Sequence, residues 1–346
     1  MTLSRDSRTV PAPVMLDFAD PGIYARSTPL LSQRATVQER HDKFIPLPLP
    51  GTDSMIKANV PMASLTSFRV GGPAEWYVAP RRIDELHASL EWARSQGLPV
   101  TMLGSGSNLL VSDRGIAGLV ISTRFLRCAS FDETTGQITV GAGEPLPRLA
   151  WRLADRGWQG FEWAVGIPGT VGGAVVMNAG AHGDCVADIL VDTHVLLPNG
   201  STEILTPDQL RYEYRTSALQ GSKKLVTQAT FQLNPGANPK ELIALTDTHK
   251  QQRQRTQPYD FPSCGSVFRN PDPHKAGWLI EQVGLKGHQI GGAQVAQRHA
   301  NFILNCGGAT ASDIFQLIRH VQSCVQREWQ LWLEPEVKML GDFQAG

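Results

Sequence analysis

Two glycine-rich runs, Gly104-Ser105-Gly106-Ser107-Asn108 and Gly166-Ile167-Pro168-Gly169-Thr170-Val171-Gly172-Gly173-Ala174, constrain this chain more than any other feature. The second continues into Asn178-Ala179-Gly180-Ala181-His182-Gly183. Loops of this composition expose backbone N–H groups without side-chain obstruction, which suits them to cradling a phosphate or diphosphate. Each run stands next to a strand-like apolar stretch, so the pair suggests one extended dinucleotide held between two lobes. Either loop alone reads as readily as a plain turn between strands.

A Rossmann reading fails on inspection. Gly104 and Gly106 match the first two glycines of the Gly-x-Gly-x-x-Gly fingerprint, but Leu109 stands where the third belongs. The residues that follow, Leu109 to Asp113 and Gly115 to Ile121, read as strand, turn and strand, whereas the fingerprint must open a helix. Arg124 and Phe125 occupy the region where an acidic residue would hold a ribose. A strand–loop–strand phosphate site points to the other large class of flavin-binding domain, in which loops wrap the diphosphate.

The chain's 346 residues suffice for two or three domains with real cores. Its 32 basic and 32 acidic residues cancel, so charge favours neither nucleic acid nor an anionic membrane as partner. No apolar run approaches the roughly 20 residues of a membrane span, and Val14 to Phe18 is too short for a signal-peptide core. Five scattered cysteines (Cys128, Cys185, Cys264, Cys306, Cys324) form no Cys-x-x-Cys pair, which predicts reduced thiols in a cytoplasmic protein and no metal site.

Composition and periodicity divide the chain into four segments. Residues 1–57, rich in Pro, Ser and charge, read as a flexible extension. Residues 58–122 hold a strand near Ala74 to Ala79, a helix over 81–96 with Ile83, Leu86, Leu90 and Ala93 on one face, and a strand over 98–103 feeding the first glycine run. Residues 123–234 are richer in β structure, with a short helix near 146–155, a hairpin around Pro198-Asn199-Gly200 and a closing strand over 225–233. Residues 235–346 alternate helices and short strands; Asn238 and Pro239 start one helix, and Thr310 with Asp313 forms a capping box for another over 311–328.

Three polar clusters sit where this periodicity lapses: Tyr214 to Ser217, Pro262 to Pro271, and Leu333 to Lys338. On residue type alone, Arg215 is a surface ion-pair donor, Ser266 a turn hydroxyl and Glu336 a solvated carboxylate. No Gly-x-Ser-x-Gly elbow and no His-Glu-x-x-His pattern occurs, which removes the common hydrolase readings.

Taken together, from about Ser67 to Gly341, the motifs resemble those of the UDP-N-acetylenolpyruvoylglucosamine reductase (UDP-N-acetylmuramate dehydrogenase) family. The resemblance rests on Thr66 to Gly72, Leu103 to Leu110, Gly166 to Gly173, Tyr214 to Ser217, Cys264 to Pro271, Ala276 to Glu281 with Leu285 to Gly287 and Ile290 to Gly292, and Glu334 to Val337. It implies an α+β fold of the vanillyl-alcohol-oxidase type. Two lobes (58–122 and 123–234) clasp non-covalent FAD, and a C-terminal α+β domain (235–346) binds a sugar nucleotide. It also implies NADPH as hydride donor, with no nucleic acid, membrane or obligate protein partner. The family's arginine, serine proton donor and glutamate fall on Arg215, Ser266 and Glu336. Its FAD contacts fall on Gly104, Ser105, Gly106, Ser107 and Asn108, and on Gly166, Ile167, Pro168, Gly169, Thr170, Gly172, Gly173 and Ala174, with Asn178 to Gly180 adjoining. Asn270 and His299 match substrate-facing positions.

Only about fifty positions separate Arg215 from Ser266. The chain therefore resembles the shorter subtype, which lacks a tyrosine-bearing excursion over the substrate diphosphate. Arg253 and Arg255 are candidates by charge for that contact, and a solvated helix end is their plainer reading. The implied chemistry reduces an enolpyruvyl double bond, with Arg215 countering charge at the substrate carboxylate, Ser266 supplying a proton and Glu336 held protonated by burial. NADPH and substrate would use one cavity in turn. The alternatives are an FAD-dependent oxidase of the same fold and a catalytically silent flavin-binding protein.

Overall fold

The structure, a computed structural model, describes residues 46–343. The extension expected over 1–57 lies outside the described residues as far as residue 45, but its remainder is part of the fold. Strands β1 (Leu47–Pro48) and β2 (Met55–Pro61) pair antiparallel, and Leu47, Leu49 and Ile56 are buried. In β2, Ile56 and Ala58 face inward while Met55 and Lys57 face out, the period of two of a half-buried strand.

After β3 (Pro73–Val78) come helix α1 (Ile83–Gln96) and strands β4 (Val100–Leu103), β5 (Leu109–Val111) and β6 (Ile116–Ser122). The first sheet runs β1-β2-β3-β6-β4, with β6 inserted parallel between β3 and β4. Both faces are covered. Trp76, Val78, Leu119 and Ile121 pack with Leu86, Trp92 and Ala93 of α1, while Tyr77, Leu103 and Val120 face the other side. Asp84 and Glu85 in the first turn and Arg94 in the last complement the helix dipole, and Gly97 stops α1 at φ 66°. Ile83, assigned to the apolar face by its spacing, is 44% exposed: it is the first helical residue and precedes the turn that meets the sheet.

The second segment forms an antiparallel sheet, β12-β11-β13-β8-β7, from β7 (Ala129–Asp132), β8 (Gln137–Gly141), β11 (Leu190–Leu196), β12 (Thr202–Leu205) and β13 (Leu225–Gln232). Between β8 and β11 lie α2 (Leu146–Asp155), α3 (Val171–Met177), a two-strand ribbon β9 (Gly180–Ala181) and β10 (Asp184–Cys185), and one-turn α4 (Val186–Ile189). Leu146, Leu149, Ala150 and Leu153 of α2 bury their stripe against Trp158, Phe161 and Trp163, so truncating Leu149 or Leu153 to alanine would cost about 2–5 kcal/mol.

One-turn α5 (Pro207–Leu210) precedes the Tyr214 cluster. The third segment begins with α6 (Pro239–Thr256), whose Asn238 cap accepts from the Lys240 N–H at 3.1 Å. It continues through α7 (Ala276–Gln282), the small sheet β14 (Gln289–Ile290), β15 (Ala293–Val295) and β16 (Ile303–Asn305), α8 (Ala311–Trp329) and β17 (Lys338–Leu340). The Thr310–Asp313 capping box is present, and Ile314, Leu317, Ile318, Val321 and Val325 form the buried stripe of α8.

This segment is tied to the first. Phe68, Val70 and Leu110 enter its core, and the Asp113 carboxylate accepts from the Ala311 and Ser312 N–H groups at 2.8 Å, capping α8 from outside. Strand β17 returns to pair parallel with β5, Lys338 opposite Leu109. That pairing places the last polar cluster beside the first glycine run. Among the described residues no helix is long and apolar enough to cross a membrane, and no group of three His, Cys, Asp or Glu could hold a metal ion.

Candidate active site

The two glycine runs meet. The Ser107 hydroxyl donates to the Pro168 carbonyl at 2.9 Å, and a Cβ on Gly104 would stand 2.8 Å from Thr170 Oγ1. The first run leaves the end of β4 and is pinned by the Ser67 N–H donating to Gly106 O at 3.0 Å. Gly106 has φ 68°, and a Cβ there would lie 2.1 Å from Leu65 O, so the loop can fold this way only with glycine. The second run differs from expectation. It adjoins no strand but leaves a 3-10 turn (Glu162–Gly166) and opens α3. Its Val171 and Gly172 N–H groups already donate to Glu144 O and Ala142 O, so two of the amides that a Rossmann-type anion seat would use are taken by protein.

These residues fit a dinucleotide diphosphate. The backbone N–H groups of Ser105, Gly106 and Ser107 donate to nothing among the described residues. Beside them, Thr170 Oγ1 and Ser122 Oγ are buried without hydrogen-bond partners among the described residues, and Ser122 pairs in register with Leu103, the residue before the loop. A polar ligand between the runs would relieve these groups, whose burial unpaired costs about 1–3 kcal/mol each. Asn108 is otherwise engaged: its amide donates to Glu336 O at 3.2 Å and its carbonyl accepts from the Lys338 N–H at 3.0 Å.

Arg215 and Glu336, 121 positions apart, are brought together, with Arg215 Nε donating to Glu336 Oε1 at 3.1 Å. Arg215 occupies the third position of a tight turn closed by Glu213 and Thr216, at φ 56°, a left-handed conformation unusual for a side chain of this size. Its Nη2 donates to Gly180 O at 2.8 Å and its Nη1 toward Asn178 O at 3.5 Å. The Asn178–Gly180 stretch therefore braces the arginine. Of the five guanidinium N–H groups, two remain for a ligand. Burial pushes the Glu336 carboxyl above the usual carboxylate range, although Arg215, Arg269 and Lys338 pull the other way. Burial also lowers the Lys338 ammonium, and Arg269 adds to that.

Ser266 sits beside this pair through its neighbour Val267, whose carbonyl accepts from the Glu336 N–H at 2.8 Å. The Ser266 side chain opens into a cavity of about 280 Å³ with Asn270, Lys275, Trp278, Lys286 and His299 among its walls. Its hydroxyl makes no hydrogen bond among the described residues. Asn270 Oδ1 accepts from the Ala276 N–H at 3.0 Å, which turns its Nδ2 toward the Tyr214 hydroxyl at 3.4 Å. His299 Nδ1 accepts from the Asn301 N–H at 3.3 Å, so the neutral ring carries its proton on Nε2; burial lowers its pKa and favours that neutral form. Burial pushes up the thiol of nearby Cys264, leaving it protonated and unreactive.

All three polar clusters thus meet beside the first glycine run, and both substrate-facing candidates line the Ser266 cavity. Arg253 lies half-buried over Gly166, where a Cβ would meet its Cδ at 2.0 Å, while Arg255 is exposed at the helix end. Residues that motif reading passed over include Ser122 and Lys275, which carried no spacing signal. Lys286 stood inside a motif as an unexplained charge and is paired with Glu281 at 2.7 Å.

Comparison with known proteins agrees with this geometry. The C-terminal-domain model of UDP-N-acetylenolpyruvoylglucosamine reductases matches residues 257–340, and an FAD binding domain model matches residues 74–206. The UDP-N-acetylenolpyruvoylglucosamine reductase of a Nostoc species is 67% identical over 297 residues, covering 86% of this chain and 90% of that one. The enzyme of the same name from a Synechocystis species is 57% identical, covering 85% and 94%. The crystal structure of UDP-N-acetylenolpyruvylglucosamine reductase from Thermus caldophilus superposes with a TM-score of 0.71 at 34% identity, covering 83% of this chain and all of that one.

Proposed function

The chain belongs to the UDP-N-acetylenolpyruvoylglucosamine reductase family, and from that premise we propose that Arg215, Ser266 and Glu336 carry its reaction. The protein is an FAD-dependent oxidoreductase that reduces the enolpyruvyl group of UDP-N-acetylglucosamine enolpyruvate with NADPH, giving UDP-N-acetylmuramate for peptidoglycan synthesis. Its fold is the two-lobed FAD-binding type with a C-terminal domain. We assign the first two segments to FAD and the third to the sugar nucleotide, and place the reaction in the cytoplasm.

The single observation that supports this residue assignment best is the bonding of Glu336 to Arg215, to Asn108 of the first glycine run and to Val267, the neighbour of Ser266. Ser105 to Ser107, Gly169 and Thr170 would hold the FAD diphosphate. FAD held there would supply the hydride chemistry that couples NADPH oxidation to reduction of the substrate's double bond. The protein's own task is to manage the charge that then builds on the double-bond carbon next to the carboxylate and on the carboxylate itself. Arg215, permanently cationic and braced by two carbonyls and Glu336, presents its remaining N–H groups to that carboxylate. The Ser266 hydroxyl, which bonds to none of the described residues, delivers a proton to the carbon. Glu336, kept protonated by burial, donates a hydrogen bond where an ionised carboxylate would repel the accumulating charge. Asn270 and the His299 Nε2–H orient the nucleotide end.

Two experiments test this. In Ser266→Ala, NADPH should reduce the flavin at the normal rate while reoxidation by substrate slows at least about 100-fold; stopped-flow absorbance separates the two, and unchanged reoxidation removes Ser266 from the proton-donor role. For Glu336 the sign follows from its raised pKa: the active, protonated form persists below that pKa and is lost as pH rises through it. Reoxidation should therefore decline toward alkaline pH in the wild type, stay flat over that limb in Glu336→Gln and be lost in Glu336→Ala. A glutamine variant as slow as the alanine variant would show that a neutral donor does not suffice.

A further inference from the structure

The left-handed backbone of Arg215 has a specific brace. Gln220 Nε2 donates to the Arg215 carbonyl at 2.8 Å and to the Val176 carbonyl at 3.2 Å, and Gln220 Oε1 accepts from Lys338 Nζ at 2.8 Å. The orientation of this amide is dictated by its neighbours: turned over, its oxygen would face two carbonyl oxygens and its NH₂ an ammonium. A second donor, Arg269 Nη2, reaches the same Arg215 carbonyl at 3.1 Å. Lys338 in turn is anchored by its own N–H to Asn108 O at 3.0 Å. One line of hydrogen bonds therefore runs from the first glycine run through Lys338 and Gln220 to the backbone of Arg215.

We propose that Gln220 is a positioning residue for the reduction step, holding Arg215 in its left-handed turn so that the guanidinium meets the substrate carboxylate. This rests on the assignment of Arg215 made above. A non-glycine residue at φ 56° sits about 1–3 kcal/mol above its relaxed conformation. The turn that carries it is closed by the Glu213–Thr216 pair, whose N–H to carbonyl distances are 3.1 and 3.2 Å, with the Thr216 hydroxyl donating to Tyr214 O at 3.3 Å and the Asn178 amide to Glu213 O at 3.0 Å; none of these bonds reaches the Arg215 carbonyl. Bonds to the peptide carbonyl that follows this dihedral resist its relaxation, and Gln220 makes the shorter of the two. Gln220 touches neither the Ser266 cavity nor the carboxylate of Glu336, so it acts through Arg215 and takes no part in the chemistry itself.

The test uses the FAD-loaded enzyme and its two half-reactions. Gln220→Leu keeps the size and removes all three hydrogen bonds; it should bind FAD and be reduced by NADPH within about twofold of wild type, while reoxidation by saturating UDP-N-acetylglucosamine enolpyruvate slows roughly 10- to 100-fold. Lys338→Met frees the far end of the amide and removes a charge that pulls the Glu336 carboxyl down, which leaves that carboxyl no less protonated; it should give a smaller loss in the same half-reaction and stands in if Gln220→Leu does not fold. The decisive arm is the cycle with Arg215→Lys. If Gln220 acts through Arg215, the double variant is no slower than Arg215→Lys alone. Losses that multiply, an unchanged reoxidation rate in Gln220→Leu, or equal slowing of both half-reactions would each overturn the proposal. An Arg215→Lys enzyme reoxidised at the wild-type rate would instead sink the assignment of Arg215, and the positioning role with it.

Discussion

The two glycine runs look alike as sequence and do different work as structure. The first joins two strands, leaves the N–H groups of Ser105 to Ser107 without partners among the described residues, and is fastened to the C-terminal segment through β5–β17 pairing and Asn108. The second opens a helix whose first N–H groups are already bonded to Glu144 and Ala142. Two of its glycines serve close packing: a Cβ on Gly172 would stand 2.9 Å from Ala142 Cβ, and one on Gly166 would strike Arg253. Glycine density therefore marks where backbone must come close to something. Only the surrounding fold decides whether that something is ligand or protein.

Breaking the first run should have the largest consequence. Gly106→Ala forces a side chain to φ 68° and drives its Cβ against the backbone oxygen of Leu65; the left-handed conformation alone costs about 1–2 kcal/mol, and a backbone clash cannot be relieved by a rotamer change. The variant should lose most of its FAD on purification and melt well below wild type. Gly172→Ala meets a side-chain methyl in a permissible helical conformation and should retain FAD with a smaller drop in Tm. A Gly106→Ala protein as yellow and as stable as wild type would erase the distinction between the runs.

A finer cut separates holding the cofactor from serving the reaction. Asn108→Ala removes the amide that bonds Glu336 O at 3.2 Å but leaves the loop's own amides in place. FAD content should stay near wild type, whereas reoxidation by substrate should slow by about tenfold, because Glu336 loses a support that fixes its backbone. Comparing flavin content with half-reaction rates checks this, and a loss of FAD without a change in the reoxidation rate would return Asn108 to the cofactor.

Much of the scaffold was legible because local signals agreed with the fold. Asn238-Pro239, Thr310 with Asp313, and Gly97 set helix ends through caps that need only neighbouring residues. The glycine runs were legible as ligand-binding candidates for the same local reason. Strands β1 and β2 were not, because Pro46, Pro48, Pro50 and Pro61 mask a period of two that only the sheet reveals. Helix α3 was hidden by Gly172 and Gly173, whose poor helix propensity is overridden by bonds to the 142–144 segment. Arg215, Ser266 and Glu336 came from resemblance alone, since nothing local distinguishes them from surface residues. The duties of Gln220 and Asn108 were beyond reach: their partners Lys338 and Glu336 lie 118 and 228 positions away, and a glutamine or asparagine advertises no partner in its own sequence.

The smallest expected effect is also the one that best tests what lies between the runs. Thr170 Oγ1 is buried, lacks a hydrogen-bond partner among the described residues and does not cap α3 although Thr170 occupies its N-cap position. If that hydroxyl is kept for the cofactor, Thr170→Val should act oppositely on the two forms of the protein. Stripped of FAD, the variant gains by removing an unpaired buried group and should melt at or slightly above the wild type, a change of about 1 kcal/mol or less. Loaded with FAD, it lacks one hydrogen bond and should bind the cofactor roughly 5- to 10-fold more weakly. Thermal melts of apo and holo protein alongside FAD titrations read both signs. A variant destabilised equally in both forms would mean that Thr170 belongs to the packing of the second run, and that the ligand is held by the first run alone.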